Sequence, residues 1–432
     1  MLFNYNSVED ILNILKTGLL SAVATFARLL SGFLVMKLVA VMAGPAGVAQ
    51  LGQFMSLTAL LVVFAGGGIA PGVVKYVAEF NQQSADLKVL LNGALSFTLI
   101  ASIVMCTGVL LLNTEITIWL LGDIQYRPLI FTLAFAQIFV AVNNLIVAIV
   151  NGMMDVRRLA TIHVLGAVIG IIAPLTLGYY FELYGVLLAF ILSQAAIVFV
   201  GFVCFKKSSY YKSEYLIPRF DRTVYKRLSH YSLMTLTSAL LAPAIQIVVR
   251  NILAERFSWE QVGYWQAVTK VSEAYLLFIT MAISVYYLPK LSAVSEKNAF
   301  LNEIKMAYKI LVPLVVVSAV VIFCFRDLLT ALLFSERFSG ALHLYAPQLI
   351  GDVVKIMSFI LSFIMLAKAM TRTFLASEVI FGVTYVLWVL WLTSVYGLIG
   401  AMYAFVINYL FYFVFTVLVA GRYIKGMTRE KS

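Results

Sequence analysis

The sequence predicts an all-α, polytopic membrane protein with about twelve transmembrane helices, and three observations support this fold class. Hydrophobic residues make up 62% of the 432-residue chain and charged residues only 12%, about half the charged fraction of an ordinary soluble domain. The mean hydropathy is +0.98. Apolar segments of about 20 residues, the length that crosses a bilayer, recur along the chain. These features exclude a soluble domain of ordinary composition.

Charged residues, Gly and Pro interrupt the apolar segments and predict where each span ends. The predicted spans are residues 13–41, 48–79, 88–112, 127–151, 159–180, 184–205, 228–254, 262–289, 305–325, 345–367, 374–395 and 398–421. The longest polar connection separates two groups of six spans. We therefore expect an N-terminal six-helix lobe at 1–206, a basic cytoplasmic linker at 207–227 and a C-terminal six-helix lobe at 228–432.

Matches between the two halves indicate an internal repeat. One shift along the numbering pairs Lys37 with Arg250 and Gln53 with Gln266, and a shift smaller by one position pairs Tyr184-Gly185 with Tyr396-Gly397. Six spans is an even number, so both halves enter the membrane in the same orientation, as parallel repeats. We expect a substrate path between the two lobes.

The distribution of Lys and Arg between the connections predicts the orientation in the membrane. With a cytoplasmic N-terminus, 21 basic residues fall on the cytoplasmic side and four, Arg127, Arg256, Arg326 and Arg337, fall outside. We predict that both termini lie in the cytoplasm. This bias also accounts for the net charge of +11, so the charge does not imply a nucleic-acid partner.

Charged residues inside the predicted spans define the candidate site. The cations are Arg28, Lys37, Lys75, Arg250, Lys270 and Lys355, and the acids at comparable depth are Glu273 and Asp352. A Lys or Arg near the centre of a membrane helix costs about 2.5 to 3.5 kcal/mol on insertion scales, so these side chains need partners, water or an anionic ligand. We predict that the cations line a substrate-binding cavity.

Other roles remain open for some of these charges. Lys37, Lys75 and Arg250 also fit cations that extend to the headgroup region. Glu273 and Asp352 each lie three residues from a lysine, so they fit either coupling sites or local ion pairs. We expect charge to matter more than side-chain shape at Arg250, so that the substitution Arg250→Lys retains most of the transport.

Two positions are predicted to bend the helices. The run GGGIAPG at residues 66–72 places three glycines before Pro71, and this pattern predicts a break in the second span. Such breaks are tolerated at membrane depth where they face a cavity or packed protein. Pro243 in the seventh span is the other candidate bending point.

The sequence lacks the patterns of an enzyme or a metal protein. His163, His230 and His343 are far apart in sequence and have no acid or Cys partners nearby, and GxSxG, P-loop and HExxH spacings are absent. We therefore predict that the chain is not an enzyme and has neither a metal site nor a cofactor. A membrane-embedded glycan polymerase or acyltransferase is the alternative class, and it would need a clustered acid/base or His site.

Several runs resemble one transporter family. These runs are KLVAVMAGPAGVAQ (37–50), GVVKYVAEF (72–80), FSWEQVGYWQAV (257–268), ISVYYLPKLS (283–292), LLFSERF (332–338) and QLIGDVVK (348–355). They resemble the Wzx-type lipid-linked oligosaccharide flippases of the polysaccharide transporter family, which include the O-antigen and enterobacterial-common-antigen flippases of lipopolysaccharide-related pathways. This family is part of the multidrug/oligosaccharidyl-lipid/polysaccharide exporter (MOP) superfamily.

The resemblance implies two six-helix lobes around a central cavity, similar to the MATE exporters. It implies a substrate, undecaprenyl-pyrophosphate-linked oligosaccharide, that crosses from the inner to the outer leaflet of the bacterial inner membrane. It also implies contact with membrane lipid, a polysaccharide polymerase and a chain-length regulator. The residues that fall where the family tends to place charge are Arg28, Lys37, Lys75, Arg250, Asp352 and Lys355, whereas Lys270 does not belong to the pattern. Six cations against two acids suit a diphosphate head, whereas a MATE-type drug exporter would favour acids. A flippase for the peptidoglycan precursor is the other alternative, and it would need two further spans.

Overall fold

The computed structural model describes residues 8–429 except Gln82 and Ser295. Within these residues the regular elements are helices, which confirms the all-α prediction. The α-helices are α1 Val8–Ala65, α2 Ala70–Phe80, α3 Ser84–Leu111, α4 Asn113–Leu121, α5 Arg127–Gly152, α6 Val156–Lys206, α7 Arg222–Arg256, α8 Trp259–Ala282, α9 Leu288–Ala293, α10 Lys297–Cys324, α11 Arg326–Leu333, α12 Tyr345–Ala367, α13 Thr371–Tyr396 and α14 Ile399–Arg429. A π-helical turn lies at Ile283–Tyr287, and 3-10 turns lie at Ile124–Tyr126, Ser213–Leu216 and Glu336–Leu344.

The helices agree with the predicted spans. In the described part of the chain, eight helices are long and apolar enough to cross a membrane. Two of them, α1 and α6, contain non-helical residues at Gly44 and at Phe181 and Glu182, so each accommodates two spans. Helices α7 and α8, of 35 and 24 residues, lie at the seventh and eighth predicted spans. Each of the twelve predicted spans therefore falls on a helical segment.

The predicted break in the second span is present. Helix α1 ends at Ala65 and α2 begins at Ala70, and Gly67 and Gly68 between them have φ of 64° and 65°. Few residues other than glycine adopt this conformation. A Cβ atom on Gly67 would also lie 2.6 Å from the ring of Phe97. The Ser232 hydroxyl donates a 2.5 Å hydrogen bond to the Gly67 carbonyl and so satisfies one backbone group freed by the break.

The chain forms two compact units. The first comprises Met1–Met42 and Gln53–Pro243, and the second comprises Ala43–Gly52 and Ala244–Ser432. One boundary between the units lies at Pro243 inside α7, and the other two lie inside α1, on either side of Ala43–Gly52.

The predicted linker packs with the first unit. The side chain of Tyr215 is buried in the core that α2, α3 and α5 form. The Lys88 ammonium lies 2.5 Å from the Glu214 carboxylate, and this contact lowers the pKa of Glu214. The linker is therefore an ordered surface segment of the first unit.

Helix bounds show how the sequence repeats. Ser84 and Lys297, where α3 and α10 begin, are related by the same shift as Leu111 and Cys324, where these helices end. This is also the shift that aligns Lys37 with Arg250. After α11, corresponding residues of the two halves lie two positions further apart in the sequence. Met154, which follows α5, then corresponds to Ala369, which follows α12. These two residues have similar backbone conformations, with φ of 57° and 53°.

The turns between the last two spans of each half repeat at this larger shift. Glu182 and Gly397 correspond to each other and have φ of 50° and 69°. A Cβ on Gly185 would lie 2.0 Å from the Leu177 carbonyl oxygen, and a Cβ on Gly400 would lie 2.2 Å from that of Leu392. The predicted alignment of Tyr184-Gly185 with Tyr396-Gly397 was therefore wrong. The shift grows because the segment between α11 and α12, with its nine-residue 3-10 turn, is longer than its counterpart before α5.

Candidate functional site

Arg250 is a buried cation of α7, with only 2% of its surface exposed. Its Nε donates a 2.7 Å hydrogen bond to Gln266 of α8, and its terminal nitrogen donates a 3.4 Å bond to Gln246 one turn earlier on α7. The guanidinium carbon lies 5.8 Å from the ring centroid of Trp265, which is within cation–π distance. Two neutral amides and an indole therefore orient the guanidinium.

Asp352 of α12 has no exposed surface. Its carboxylate accepts hydrogen bonds from the Ser272 hydroxyl at 2.6 Å, the Tyr275 hydroxyl at 2.8 Å and the Gln348 amide at 3.0 Å. These donors belong to α8 and to the preceding turn of α12. In the described part of the chain, the Lys355 ammonium and the Asp352 carboxylate are more than 4.0 Å apart, so they do not form an ion pair. Neutral donors therefore hold this carboxylate in place.

Lys355, one turn after Asp352, lies among aromatic rings. Its ammonium is 5.7 Å from the ring centroids of Phe359 and Phe405 and 5.5 Å from that of Tyr409. The rings of Phe405 and Tyr409 pack edge to face at 4.8 Å. An aromatic cage of this kind stabilises a cation without neutralising it.

The remaining predicted pair of the second unit is an ion pair. Lys270 Nζ lies 2.6 Å from a Glu273 carboxylate oxygen, and both side chains are partly exposed. The local ion-pair interpretation therefore describes these two residues. The Glu273 carboxylate is also within electrostatic range of Arg250 and of Lys355.

A third carboxylate, Glu378 of α13, was not predicted. It is partly buried and within electrostatic range of Lys355. Among the charges that we place inside the spans, the second unit therefore has three cations, Arg250, Lys270 and Lys355, and three acids, Glu273, Asp352 and Glu378. Six cations in the whole chain then exceed the acids by three, where the sequence analysis with two acids gave an excess of four. The signal for Glu378 was present, because it lies inside the predicted span 374–395.

The predicted cations of the first unit lie on α1 and α2. Lys37 is partly buried and Lys75 is exposed, with its ammonium 5.1 Å from the ring centroid of Tyr76. The side chain of Arg28 lies outside the described residues. The structure thus brings Arg250, Lys270, Glu273, Asp352 and Lys355 into the second unit, whereas Lys37 and Lys75 belong to the first.

Comparison with known families identifies the chain. A model of the family described as "Polysaccharide biosynthesis protein" matches residues 44–343, more than half of the sequence. The chain belongs to this family. The predicted resemblance is therefore confirmed at the level of the family.

Curated relatives agree with this assignment. The lipid III flippase of Escherichia coli (strain K12) is 33% identical over 405 residues, which cover 93% of this chain and 97% of the relative. The lipid III flippase of Shigella flexneri matches with the same identity and coverage.

Solved structures show the fold. A multidrug resistance MATE family transporter of the MOP superfamily, in an inward-facing conformation, superposes with a TM-score of 0.77 at 16% identity. The match covers 95% of this chain and 96% of that one. This member of the polysaccharide biosynthesis protein family therefore has the predicted MATE-like fold of a multi-pass membrane protein. Its relatives are flippases and transporters, in agreement with the prediction that it is not an enzyme.

Proposed function

We propose that this protein is a flippase for lipid-linked oligosaccharide and that its substrate is an undecaprenyl-pyrophosphate-linked oligosaccharide. It moves this lipid from the cytoplasmic to the periplasmic leaflet of the bacterial inner membrane by alternating access. The observation that carries the proposal is Arg250, a guanidinium buried inside a predicted span and oriented by hydrogen bonds to Gln266 and Gln246. The lipid III flippase relatives support the same substrate class.

The chemistry of a diphosphate fits this site. Guanidinium groups form paired, charge-assisted hydrogen bonds with phosphate oxygens, and Arg retains its charge when it is buried. Arg28, Lys37, Lys75, Lys270 and Lys355 supply further positive charge as substrate-binding cations. The glycan travels in the polar part of the path, and the polyprenyl tail stays in the lipid.

Asp352 is the better candidate for coupling to a driving ion, with Glu273 second. Asp352 is fully buried and hydrogen-bonded by neutral donors, whereas Glu273 is partly exposed and paired with Lys270. A buried carboxylate that is not ion-paired can exchange its charge for a proton at lower cost than one held by a cation. Binding of a proton at Asp352 would change the net charge of the second unit.

The alternatives fit less well. A MATE-type exporter of cationic drugs would favour an excess of acids, which the predicted site does not have. A peptidoglycan-precursor flippase would need two spans beyond the twelve helical segments. A polymerase or acyltransferase would need an acid/base or His cluster. The basic residues of the connections favour cytoplasmic termini, and a polysaccharide polymerase and a chain-length regulator would use the exported glycan.

The test is translocation by purified protein in liposomes. The substrate is undecaprenyl diphosphate that carries a fluorescent disaccharide, and arrival in the opposite leaflet is measured by its accessibility to an added glycosidase. We expect transport by the wild type and its loss in Arg250→Ala, while Lys270→Arg, which keeps the Glu273 ion pair, remains active. Failure of the wild type to move this lipid, together with export of a cationic dye, would replace the flippase by a drug exporter.

A further inference from the structure

A cavity of about 570 Å³ lies within the first unit. The broken helix forms one wall with Gly66, Gly68 and Pro71, and helices α5 and α7 complete the lining. Its volume is within the range of small-ligand sites, which are mostly apolar with a few polar groups that orient the ligand. The polar groups of this cavity therefore indicate what it binds.

Three polar side chains line the cavity: Asn144 and Asn151 of α5 and Thr235 of α7. The two asparagines are two turns apart and so lie on the same face of the helix. Neither amide has a side-chain hydrogen-bond partner among the residues that the structure describes. Asn144 is partly buried, where an amide without a partner is costly, and Asn151 is exposed and accessible. A ligand with donors and acceptors would supply partners for both.

The internal repeat shows that the fold does not require these amides. At the larger shift, which relates Met154 to Ala369, Asn144 corresponds to Phe359, a wall of the Lys355 cage, and Asn151 corresponds to Leu366. Likewise Gln137 of α5 corresponds to Asp352 of α12. Helix α5 thus presents neutral amides where α12 presents charged or apolar groups, which indicates that the two halves bind different parts of a ligand.

Two cations of the first unit lie near the ring of Tyr76, two residues after Val74 of the cavity wall. Val74 lines the cavity, and the following residue, Lys75, is exposed. The ring of Tyr76 lies 5.1 Å from the Lys75 ammonium and 5.9 Å from the guanidinium carbon of Arg227. Consecutive residues of a helix point in different directions, so Lys75 shares a helix with the cavity wall without lining the cavity.

We infer that this cavity binds the sugar attached to the diphosphate of the lipid-linked glycan, an inference that rests on the proposed function. Asn144 and Asn151 donate to and accept from the hydroxyl and acetamido groups of the sugar. A polyprenyl tail has no polar groups and would leave both amides without partners. A sugar supplies hydrogen-bond partners for both amides in a cavity whose wall is otherwise apolar.

The experiment compares two ligands of purified protein in detergent micelles: undecaprenyl diphosphate that carries one N-acetylhexosamine, and undecaprenyl diphosphate without sugar. The measured quantity is the ratio of their dissociation constants. In Asn144→Leu and Asn151→Leu, we expect affinity for the sugar-bearing lipid to fall about tenfold, equivalent to the loss of one or two net hydrogen bonds. Affinity for the bare lipid stays at the wild-type value.

The matched control is Asn143→Leu, which removes the neighbouring amide of α5. The side-chain carbonyl oxygen of Asn143 points at Gly201 of α6 and not into the cavity. We therefore expect Asn143→Leu to keep the wild-type ratio of dissociation constants. Ala70→Phe fills the cavity without removing an amide and also weakens binding of the sugar-bearing lipid relative to the bare lipid, which provides a second route if an Asn variant does not fold. Equal weakening of both ligands would assign the cavity to the lipid and overturn the inference. Unchanged binding of both in every variant would also overturn it. Neither result alters the proposed function, which fails only if the wild type does not transport the glycan.

Discussion

Arg250→Lys tests whether the site depends on directed hydrogen bonds or on charge alone. In the wild type, Nε and a terminal nitrogen of Arg250 reach two different glutamines, 2.7 Å and 3.4 Å away, while the guanidinium faces Trp265. A lysine ammonium is a single point at the end of a flexible chain and cannot reproduce this planar arrangement. From these contacts we expect Arg250→Lys to lose transport, whereas the sequence alone led us to expect that it would retain most of it.

The magnitude follows from the lost contacts. Hydrogen bonds from a charged donor contribute about 1.5 to 3 kcal/mol each, and a cation–π contact adds about 0.5 to 2 kcal/mol. If Lys retains the shorter bond to Gln266 and loses the longer, weaker one with part of the Trp265 contact, the loss is about 1.5 to 3 kcal/mol. At about 1.4 kcal/mol per factor of ten, transport falls about ten- to hundredfold.

The assay is the initial rate of glycan translocation in liposomes, divided by the amount of protein incorporated. Gln266→Leu is the companion variant, because it removes the main acceptor of Arg250 and leaves the charge. We expect both variants to be slow and Lys270→Arg to be close to wild type. Wild-type rates for Arg250→Lys and Gln266→Leu together would refute the requirement for directed bonds, and charge alone would then suffice.

Three further outcomes are expected. A reporter that is active only outside the cytoplasm is silent when fused after Lys212 and active after Arg337; the reverse pattern would invert the topology. Gly400→Ala lowers thermal stability by about 1 to 3 kcal/mol because its Cβ would lie 2.2 Å from a carbonyl oxygen of α13, whereas Gly108→Ala, with no atom within 4 Å, does not. Asp352→Asn reaches the membrane in normal amount and binds the lipid-linked glycan at least as tightly as wild type, but transports it slowly. Wild-type transport by this variant would exclude Asp352 from coupling.

The helices were predictable from the length of the apolar segments and from the charged residues, Gly and Pro that interrupt them. The break before α2 followed from glycines that adopt φ of 64° and 65°, and the family followed from its motifs. The repeat was predictable only in part. One shift aligns Lys37 with Arg250, but the extra residues between α11 and α12 lengthen it by two positions, and a few matched letters could not locate that insertion.

The contacts of each charge were not predictable, because they depend on packing between helices that are distant in sequence. Spacing of three residues suggested an Asp352–Lys355 pair, yet Asp352 bonds to Ser272 and Tyr275 of a different helix, and Lys355 enters an aromatic cage. Spacing was sufficient for Lys270 and Glu273, whose ion pair is local. Periodicity shows that two residues share a helix face, but not which neighbouring helix covers that face.

The balance of charge gives the second unit a means of linking ion binding to anion binding. The charges inside its spans are three cations and three carboxylates, whose formal charges sum to zero, so a diphosphate that binds Arg250 makes this set net negative. Neutralising one carboxylate creates a surplus of one positive charge and strengthens the attraction for phosphate, most of all in a low-dielectric interior. Asp352 suits this role because its bonds to Ser272, Tyr275 and Gln348 can persist with a protonated or amide oxygen, whereas neutralising Glu273 would leave Lys270 without its partner. Asp352→Asn would hold the unit in the anion-binding state. We therefore expect this variant to bind the glycan normally and to release it slowly.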